Sequence, residues 1–511
     1  MDILTQFAGK VKGVLSTFDR MIIKGHSLQL SNLKQFGYFL AHNNILMKDF
    51  GDYALSVSES LSRHIENLAA SENRPYKYLN SPSISKEETA LELLKQYPLD
   101  ADKGLIAVLS AVELCSTISV KANDGIIAPC YQTRKCKYYY LYAIDKDFGF
   151  MHIKIQTWFP FGIQIYINGR EYLSRLLNKE NIKYARYDNC FTDIADLDRA
   201  QELADKINSI DLSNRFDALA DRINNFLPVI KETFNYGYYW CMAECEYATD
   251  IMFDSRESLE RIYLPLVEKA FFSFKCNDIM AFMGRKMHNA FRGEIVSDLR
   301  KRTNGFRIKH RMKKNHIKMY DKASVLRIET TINDPKEFKV YKQVHSREFG
   351  FIKRWIPMGK SISNLYRYAE ISKAVNYRYI RALNDINPVE NPAHLIHSLS
   401  SRISVNNRIY SGFNLLAKST SDIFELIADG KFLITGFTNK NIIPLYAPVS
   451  LVSVKTKAKI TRLLAKLRAH GLIRKTPKAL KYYITPNGRK IISAFLYFKN
   501  KEFPFLMSSP K

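Results

Sequence analysis

Apolar and polar residues repeat along this chain with two different periods, and the period sorts it into regions. In DYALSVSESLSRHIENLAAS (52–71) the apolar positions recur at helical spacing with no internal Gly or Pro, which predicts a helix. NSPSISKEE (80–88) is a polar break. Ser85 stands three residues before Glu88 there, the spacing of a capping box at a helix start. Residues 1–100 therefore read as a mostly helical region.

From residue 104 the period switches to two. LIAVLSAVEL, KYYYLYAID, MHIKIQTWF and GIQIYING read as strands, with FPFG (159–162) turning the last two into a hairpin over 151–167. Pairing Gln156 with Gln164 puts His152, Lys154, Gln156, Gln164 and Tyr166 on one face. Ile153, Ile155, Ile163 and Ile165 take the other, toward a core. Residues 197–232 return to helical spacing. YYWCMAECEYATDIMF fits either period: as a strand it sets Glu244, Glu246 and Asp250 on one side, and as a helix it pairs Glu246 with Asp250. The next helix is expected to start at Asp254, with Glu257 three residues on, and Pro265 to kink it or mark its true start.

Period two resumes at Phe306 and predicts strands 306–312, 316–321 and 325–332. Parity then sorts this meander. Ile308, Met319, Leu326 and Ile328 share a core face. Arg307, Lys309, Arg311, Lys318, Tyr320, Arg327 and Glu329 share the other, and Asp321 ends its strand. SNLYRYAEISKAVNYRYIRALND, within 360–400, is helical and runs into the loop NPVENP.

From Ser421 the order is helix, short helix, long helix (TKAKITRLLAKLRAHG), strand LIRK, polar turn, strand LKYYITP and a last helix. Ile460, Leu463, Leu464 and Leu467 form the apolar stripe of the long helix, and Gly471 stops it. This order resembles winged helix-turn-helix domains, where the long helix enters the major groove and the hairpin touches the backbone. The fold expected for the whole chain is α+β and multidomain. It has a helical N-terminal part (1–100), an α+β domain (101–232), a basic α+β core (233–400) of antiparallel sheets with helices, and a C-terminal winged helix-turn-helix (420–500).

Charge changes the picture. Lys and Arg number 77 against 50 Asp and Glu, a formal +27 in 511 residues. Such a charge opposes compaction unless a polyanion relieves it, and it implies a nucleic-acid partner, DNA first and RNA as an alternative. It concentrates in 285–322, with thirteen Lys/Arg against three acids, and in 455–511, with fifteen against Glu502. In the first region the expected phosphate contacts are Arg285, Arg307, Lys309, His310, Arg311 and Lys318. In the second they are Lys457, Lys459, Arg462, Lys466, Arg474 and Lys475. The longest apolar stretch, GLIAVLSAVELC, is too short to span a bilayer, and no leader pattern opens the chain, so a cytoplasmic protein without membrane contact is expected. Seven cysteines form no CxxC pair, and no zinc site is expected. A phosphate-binding GxxxxGK[ST] loop and a GxSxG elbow are missing, which disfavours P-loop NTPases and α/β-hydrolases.

FGFMHIKIQTWFPFGIQIYINGREYL, EYATDIMF, GFRIKHRMKKNHIKMYDKASVLRIETTINDPKEFKVY and LLAKLRAHGLIRKTPKALKYYITPNGRKII make nearly the whole chain resemble a large, often multi-copy bacterial protein family that ends in a winged helix and brings no activity with it. Locally, IKMYDKASVLRIE is similar to a segment of rolling-circle replication initiators, in which a tyrosine attacks DNA and carboxylates hold a divalent metal. That likeness implies Tyr320 as nucleophile with Glu329 and Asp321 at a catalytic centre. On the enzyme reading, Glu246 and Asp250, which can face one site, would join Asp321 and Glu329 as oxygen ligands for Mg²⁺ or Mn²⁺. Three functions stay open: a metal-dependent DNA nicking or strand-transfer enzyme of a mobile element, a non-catalytic winged-helix DNA-binding protein, and an RNA-binding element protein that stacks bases on Trp158 and Tyr166. They part on whether the four carboxylates converge.

Overall fold

A computed structural model describes residues 7, 9–123, 126–288, 291–302, 305–346, 350–383, 397, 399–405, 407–415, 417–445, 453–476, 480–497 and 499. The expected loop at 387–392 and the tip of the C-terminal hairpin at 477–479 lie outside them. Among the described residues no helix is long and apolar enough to cross a membrane.

The chain mixes helix and strand around a large mixed sheet. In chain order the strands are β1 (Val11–His26), β2 (Tyr76–Leu79), β3 (Gly104–Asn123), β4 (Ile126–Asp145), β5 (Gly149–Gln156), β6 (Ile163–Asn168), β7 (Tyr184–Arg186), β8 (Phe191–Ile194), β9 (Tyr239–Phe253), β10 (Ile295–Arg302), β11 (Gly305–Met312), β12 (Asn315–Lys322), β13 (Val325–Ile332), β14 (Lys339–Ser346), β15 (Gly350–Pro357), β16 (Ile403–Val405), β17 (Arg408–Tyr410), β18 (Ile473–Lys475) and β19 (Tyr482–Ile484). The sheet order is β10-β11-β12-β13-β9-β1-β6-β5-β4-β3-β2. Two compact units result. One comprises Met1–Val14, Thr249–Thr330 and Lys373–Lys511, and the other Leu15–Ala248 and Thr331–Ser372.

In the second of these the expected helical N-terminal region carries helices at Leu33–His42, Phe50–Ser71 and Lys86–Gln96, but it opens on a strand. Residues 11–26 form β1, because Asp19, Met21, Ile23 and Gly25 face inward while Arg20, Ile22, Lys24 and His26 face out. The predicted helix is present as Phe50–Ser71, burying Ala54, Val57, Leu61, Ile65 and Ala69 along one stripe. Ser85 caps Lys86–Gln96 by accepting from the Glu88 amide. The β5–β6 hairpin keeps the expected faces but pairs Lys154 with Gln164, two residues from the predicted register. A shift of two preserves parity, so Ile153, Ile155, Ile163 and Ile165 still face the core. Gln156 is thereby drawn inside, where its amide donates to the Trp158 carbonyl at 3.0 Å.

In the other unit the meander matches the predicted strands to within one residue and is extended by β10, which the period-two pattern from Phe306 did not include. The ambiguous 238–253 segment is a strand. The helix after it is Arg256–Glu268, capped by Ser255 rather than Asp254, with Pro265 inside it and a π-helical turn, Lys269–Ser273, following. Gly305 needs its missing side chain: at φ +124° a Cβ there would stand 2.6 Å from the Asp321 Oδ1.

The C-terminal elements follow the predicted order: helices Lys418–Ala428, Gly430–Thr435, Asn439–Ile442 and Val454–Ala469, the β18–β19 hairpin, and helix Pro486–Tyr497. Ile460, Leu464 and Leu467 are buried, and Leu463 is partly so. Gly471 takes φ +68° after the long helix. The core they share also contains Leu399 and Phe413, so the apolar cluster reaches well before the expected start at 420.

Candidate nucleic-acid interface

The meander places its charged residues by cross-strand register. β11 pairs with β10 so that Arg307 faces Arg300 and Lys309 faces Asp298. On its other side Arg307 faces Tyr320, Lys309 faces Lys318 and Arg311 faces His316. Directly opposite residues share a face. One face of β10–β12 therefore carries Arg300, Arg307, Lys309, Arg311 and Lys318 around a single strand-borne acid, Asp298.

The electrostatics reflect this crowding. Partial burial pushes the Lys309 ammonium below its usual range, and Lys318, Arg307 and Arg311 push the same way against Asp298. Burial takes His316 down to about 3, helped by Lys318, Lys309 and Arg307, so it is neutral at physiological pH. Arg300, Arg302 and Arg311 are exposed; Arg307, Lys309 and Lys318 are half-buried. Arg311 donates to Glu294 at 2.6 Å. The exposed guanidinium groups of Arg300, Arg302 and Arg311 keep N–H donors in solvent, where an anion could meet them.

Next to this face the charges are buried and matched. Glu329, 2% exposed, accepts from the Lys318 Nζ at 2.6 Å and from the Tyr320 hydroxyl at 2.7 Å. Burial alone would raise its carboxyl, but Lys318, the Tyr320 hydroxyl and Arg327 hold it down at about 2. Arg327 is 1% exposed and donates both to the Asp250 Oδ1 at 2.8 Å and to its Oδ2 at 3.0 Å. The Tyr320 ring has the guanidinium groups of Arg302 at 4.9 Å and Arg327 at 5.9 Å from its centre. Thr330 donates to Asn376, which donates to Thr249, and closes the polar seam.

The four expected metal ligands go to four settings. Asp250 grips Arg327 and Glu329 grips Lys318 and Tyr320. Adjacent strand residues point to opposite faces, so Asp321 lies across the sheet from Tyr320. Its carboxyl, raised by burial, sits beside Tyr263 and 3.7 Å from Arg256. Glu246 belongs to the other unit and pairs with Arg20 at 3.2 Å, beside Glu244. Among the described residues no group of three or more His, Cys, Asp or Glu is placed to hold a metal ion. The catalytic set Tyr320, Asp321 and Glu329 is thus split, with only Tyr320 and Glu329 in contact.

The expected phosphate contacts also sort themselves. Arg307, Lys309, Arg311 and Lys318 share the cationic face. His310 does not: it is fully buried on the core side, between the Ser297 hydroxyl at 2.7 Å and the Tyr379 hydroxyl at 3.0 Å, and burial takes it down to about 4. Its even number already put it with Ile308 on the inward parity. Arg285 is half-buried just past the helix Cys276–Phe282. On the long C-terminal helix Lys457, Lys459 and Arg462 are exposed, as are Arg474 and Lys475 of β18. Lys466 is turned inward, donating to the Gly412 carbonyl at 2.7 Å over the Phe413 ring. Trp158 is no stacking surface: it is 6% exposed and its indole donates to the Ile118 carbonyl. Tyr166 is half-buried and stacks on His152 at 5.1 Å. Sequence reasoning missed Arg300 and Arg302. Their signal was the alternation of Ile295, Ser297 and Leu299 with Val296, Asp298 and Arg300.

Comparison with protein families, with curated proteins and with solved structures finds no match to this chain.

Proposed function

We propose that this chain is a non-catalytic nucleic-acid-binding protein, with DNA the favoured partner, that grips phosphates on the outer face of β10–β12. One observation carries the reading: Arg307, Lys309, Arg311 and Lys318 share one sheet face, where burial first, and then Lys318, Arg307 and Arg311, push Lys309 below its usual range. Phosphates on that face would turn the repulsion into charge-assisted hydrogen bonds. The C-terminal helices and the β18–β19 hairpin are proposed as a winged helix. Its long helix would present Lys457, Lys459 and Arg462 to duplex DNA, and its hairpin Arg474 and Lys475 to the backbone. Tyr320, Glu329, Arg327 and Asp250 then serve as a clasp that fixes β12, β13 and β9 beneath the cationic strands. A strand-cleaving centre would need the Tyr320 hydroxyl, Asp321 and Glu329 on one side of the sheet, and Asp321 lies on the other.

The test is direct titration of a labelled mixed-sequence duplex by fluorescence anisotropy. Submicromolar binding at about 50 mM salt, weakening by tenfold or more at about 200 mM, supports the reading, because each phosphate contact releases counterions. Undetectable or salt-independent binding overturns it. Nicked plasmid and a covalent protein–DNA adduct, formed with Mg²⁺ or Mn²⁺ and lost in Tyr320→Phe, would restore the catalytic alternative.

A further inference from the structure

β14 and β15 form a separate two-stranded sheet whose register is Tyr341 with Trp355, Gln343 with Lys353 and His345 with Phe351. These six residues share one face, and all six are exposed. Tyr341, Trp355 and Phe351 keep 52%, 65% and 72% of their surface in solvent. The opposite face is the anchored one, with Val340 buried and Val344, Ile352 and Ile356 partly so. Leaving three large rings in water on a short ribbon costs hydrophobic stabilisation, so such a patch marks a surface that meets something.

The rings are ordered into two cross-strand pairs. Tyr341 and Trp355 have centroids 5.6 Å apart, and His345 and Phe351 5.2 Å. Four residues separate the pairs along each strand, about 13 Å at ~3.3 Å per residue. The middle of that gap holds Gln343 and Lys353. The two strands carry Lys339, Lys342, Lys353 and Arg354 and no Asp or Glu.

We propose that this face is a stacking platform for the unpaired bases of a single-stranded nucleic acid. This rests on the proposed nucleic-acid binding and names the form of strand taken by the second unit. Unpaired bases expose flat apolar surfaces that stack on aromatic rings, while the connecting phosphates need cations, and the face supplies ring pair, cation, ring pair. A duplex hides those base faces. A lipid surface would also attract aromatic and basic residues, but inserting this face would bury Gln343 and Lys353 at its centre, where an amide and an ammonium lose water without replacement.

The chain has three tryptophans, and Trp158 and Trp240 are buried, so a surface quencher reports on Trp355. The full chain is titrated with an oligothymidylate of about twenty nucleotides, longer than the ~4–16 that a compact single-strand site covers. Quenching of the exposed emission is expected. Phe351→Ala combined with Trp355→Ala should weaken oligothymidylate binding by at least about tenfold, since each stacked ring contributes that order of affinity. Duplex affinity should stay within about twofold, because paired bases do not stack on rings. Trp355→Phe, which keeps a ring, should retain oligothymidylate affinity while losing the quench. Circular dichroism of each variant should match wild type, as the rings are outside the core. Oligothymidylate affinity indifferent to the rings, with duplex binding intact, overturns the platform and leaves the proposed function standing. Quenching by phosphatidylserine vesicles but not by the oligonucleotide also overturns it, in favour of a membrane surface. Loss of both duplex and single-strand binding in the wild-type chain would overturn the proposed function and the platform together.

Discussion

Two lysines on half-buried sheet strands respond to their surroundings in opposite directions. Lys137 lies on β4 and is pushed above its usual range: burial opposes its charge, but the Tyr139 hydroxyl and Glu66, 2.9 Å away, outweigh it. Lys309 lies on β11 and is pushed below, by burial and then by the cations around it. The first belongs to a sheet that neutralises itself. There Glu113 takes Lys154 at 2.7 Å, Lys86 at 3.2 Å and the Tyr140 hydroxyl, and Arg215 takes Asp145 and Asp147. The second belongs to a sheet face where cations outnumber acids even after Lys318 takes Glu329 and Arg311 takes Glu294. Matched charge is a structural device complete within the fold. Surplus charge on an open face stores repulsion that a partner of opposite sign relieves.

The comparison breaks first at the clasp. Asp250→Ala leaves the Arg327 guanidinium buried without its carboxylate and should cost about 3–5 kcal/mol in urea denaturation. A loss under about 1 kcal/mol would mean that this seam is not a structural device. Acid should have the next largest effect, in both units. His310 and His316 in one unit, and His152 in the other, are held down at about 4, 3 and 4, chiefly by burial. A histidine whose folded pKa is depressed contributes stability that is present above about 6.5 and lost as pH falls toward the folded value. Each tenfold drop in proton affinity on folding is worth about 1.4 kcal/mol. Denaturation between about pH 6.5 and 4 should therefore weaken the chain, and His310→Gln should flatten that slope.

A third prediction concerns like charges set together again, now two acids. Burial and the neighbouring Asp429 raise the Asp278 carboxyl to about 7, and its oxygens accept from the Lys275 and Lys431 amides. A raised acid contributes stability present below about 3.9 and lost as pH rises through about 7. Asp278→Asn should gain stability relative to wild type across that window; a constant difference would mean that the Asp278 carboxyl is not raised by its burial beside Asp429. The smallest effect belongs to the matched sheet. Glu113, depressed to about 2 by Lys154, Tyr140 and Lys86 against its own desolvation, is half-exposed, so Glu113→Gln should cost only about 1 kcal/mol near neutral pH. That cost should vanish as pH falls from about 4.3 toward 2.

The meander was legible because period two and parity need no long-range information: Ile308, Met319, Leu326 and Ile328 are inside as their numbering required. The same parity condemned His310 as a phosphate contact and set Asp321 opposite Tyr320. What no pattern gave was pairing between strands distant in sequence. The clasp exists because β13 and β9 bring Arg327 to Asp250, 77 residues away, which turned an expected metal ligand into a salt-bridge partner. β1 was hidden because Leu15–Asp19 are all buried and mask the alternation that follows. β14–β15 was passed over although Val340, Lys342 and Val344 alternate with Tyr341, Gln343 and His345. Its exposed rings reverse the usual sense of inside and outside.

The central claim is that surplus cations on β10–β12 meet phosphates. The measurement is the slope of log affinity against log salt for one duplex, with wild type and the Arg307→Ala, Lys309→Ala, Arg311→Ala triple variant. Each lost phosphate contact should reduce the slope by about 0.9, so the triple variant should fall short of wild type by about 2–3 while keeping its fold. An unchanged slope would contradict the account, and would mean that the chain meets its polyanion elsewhere.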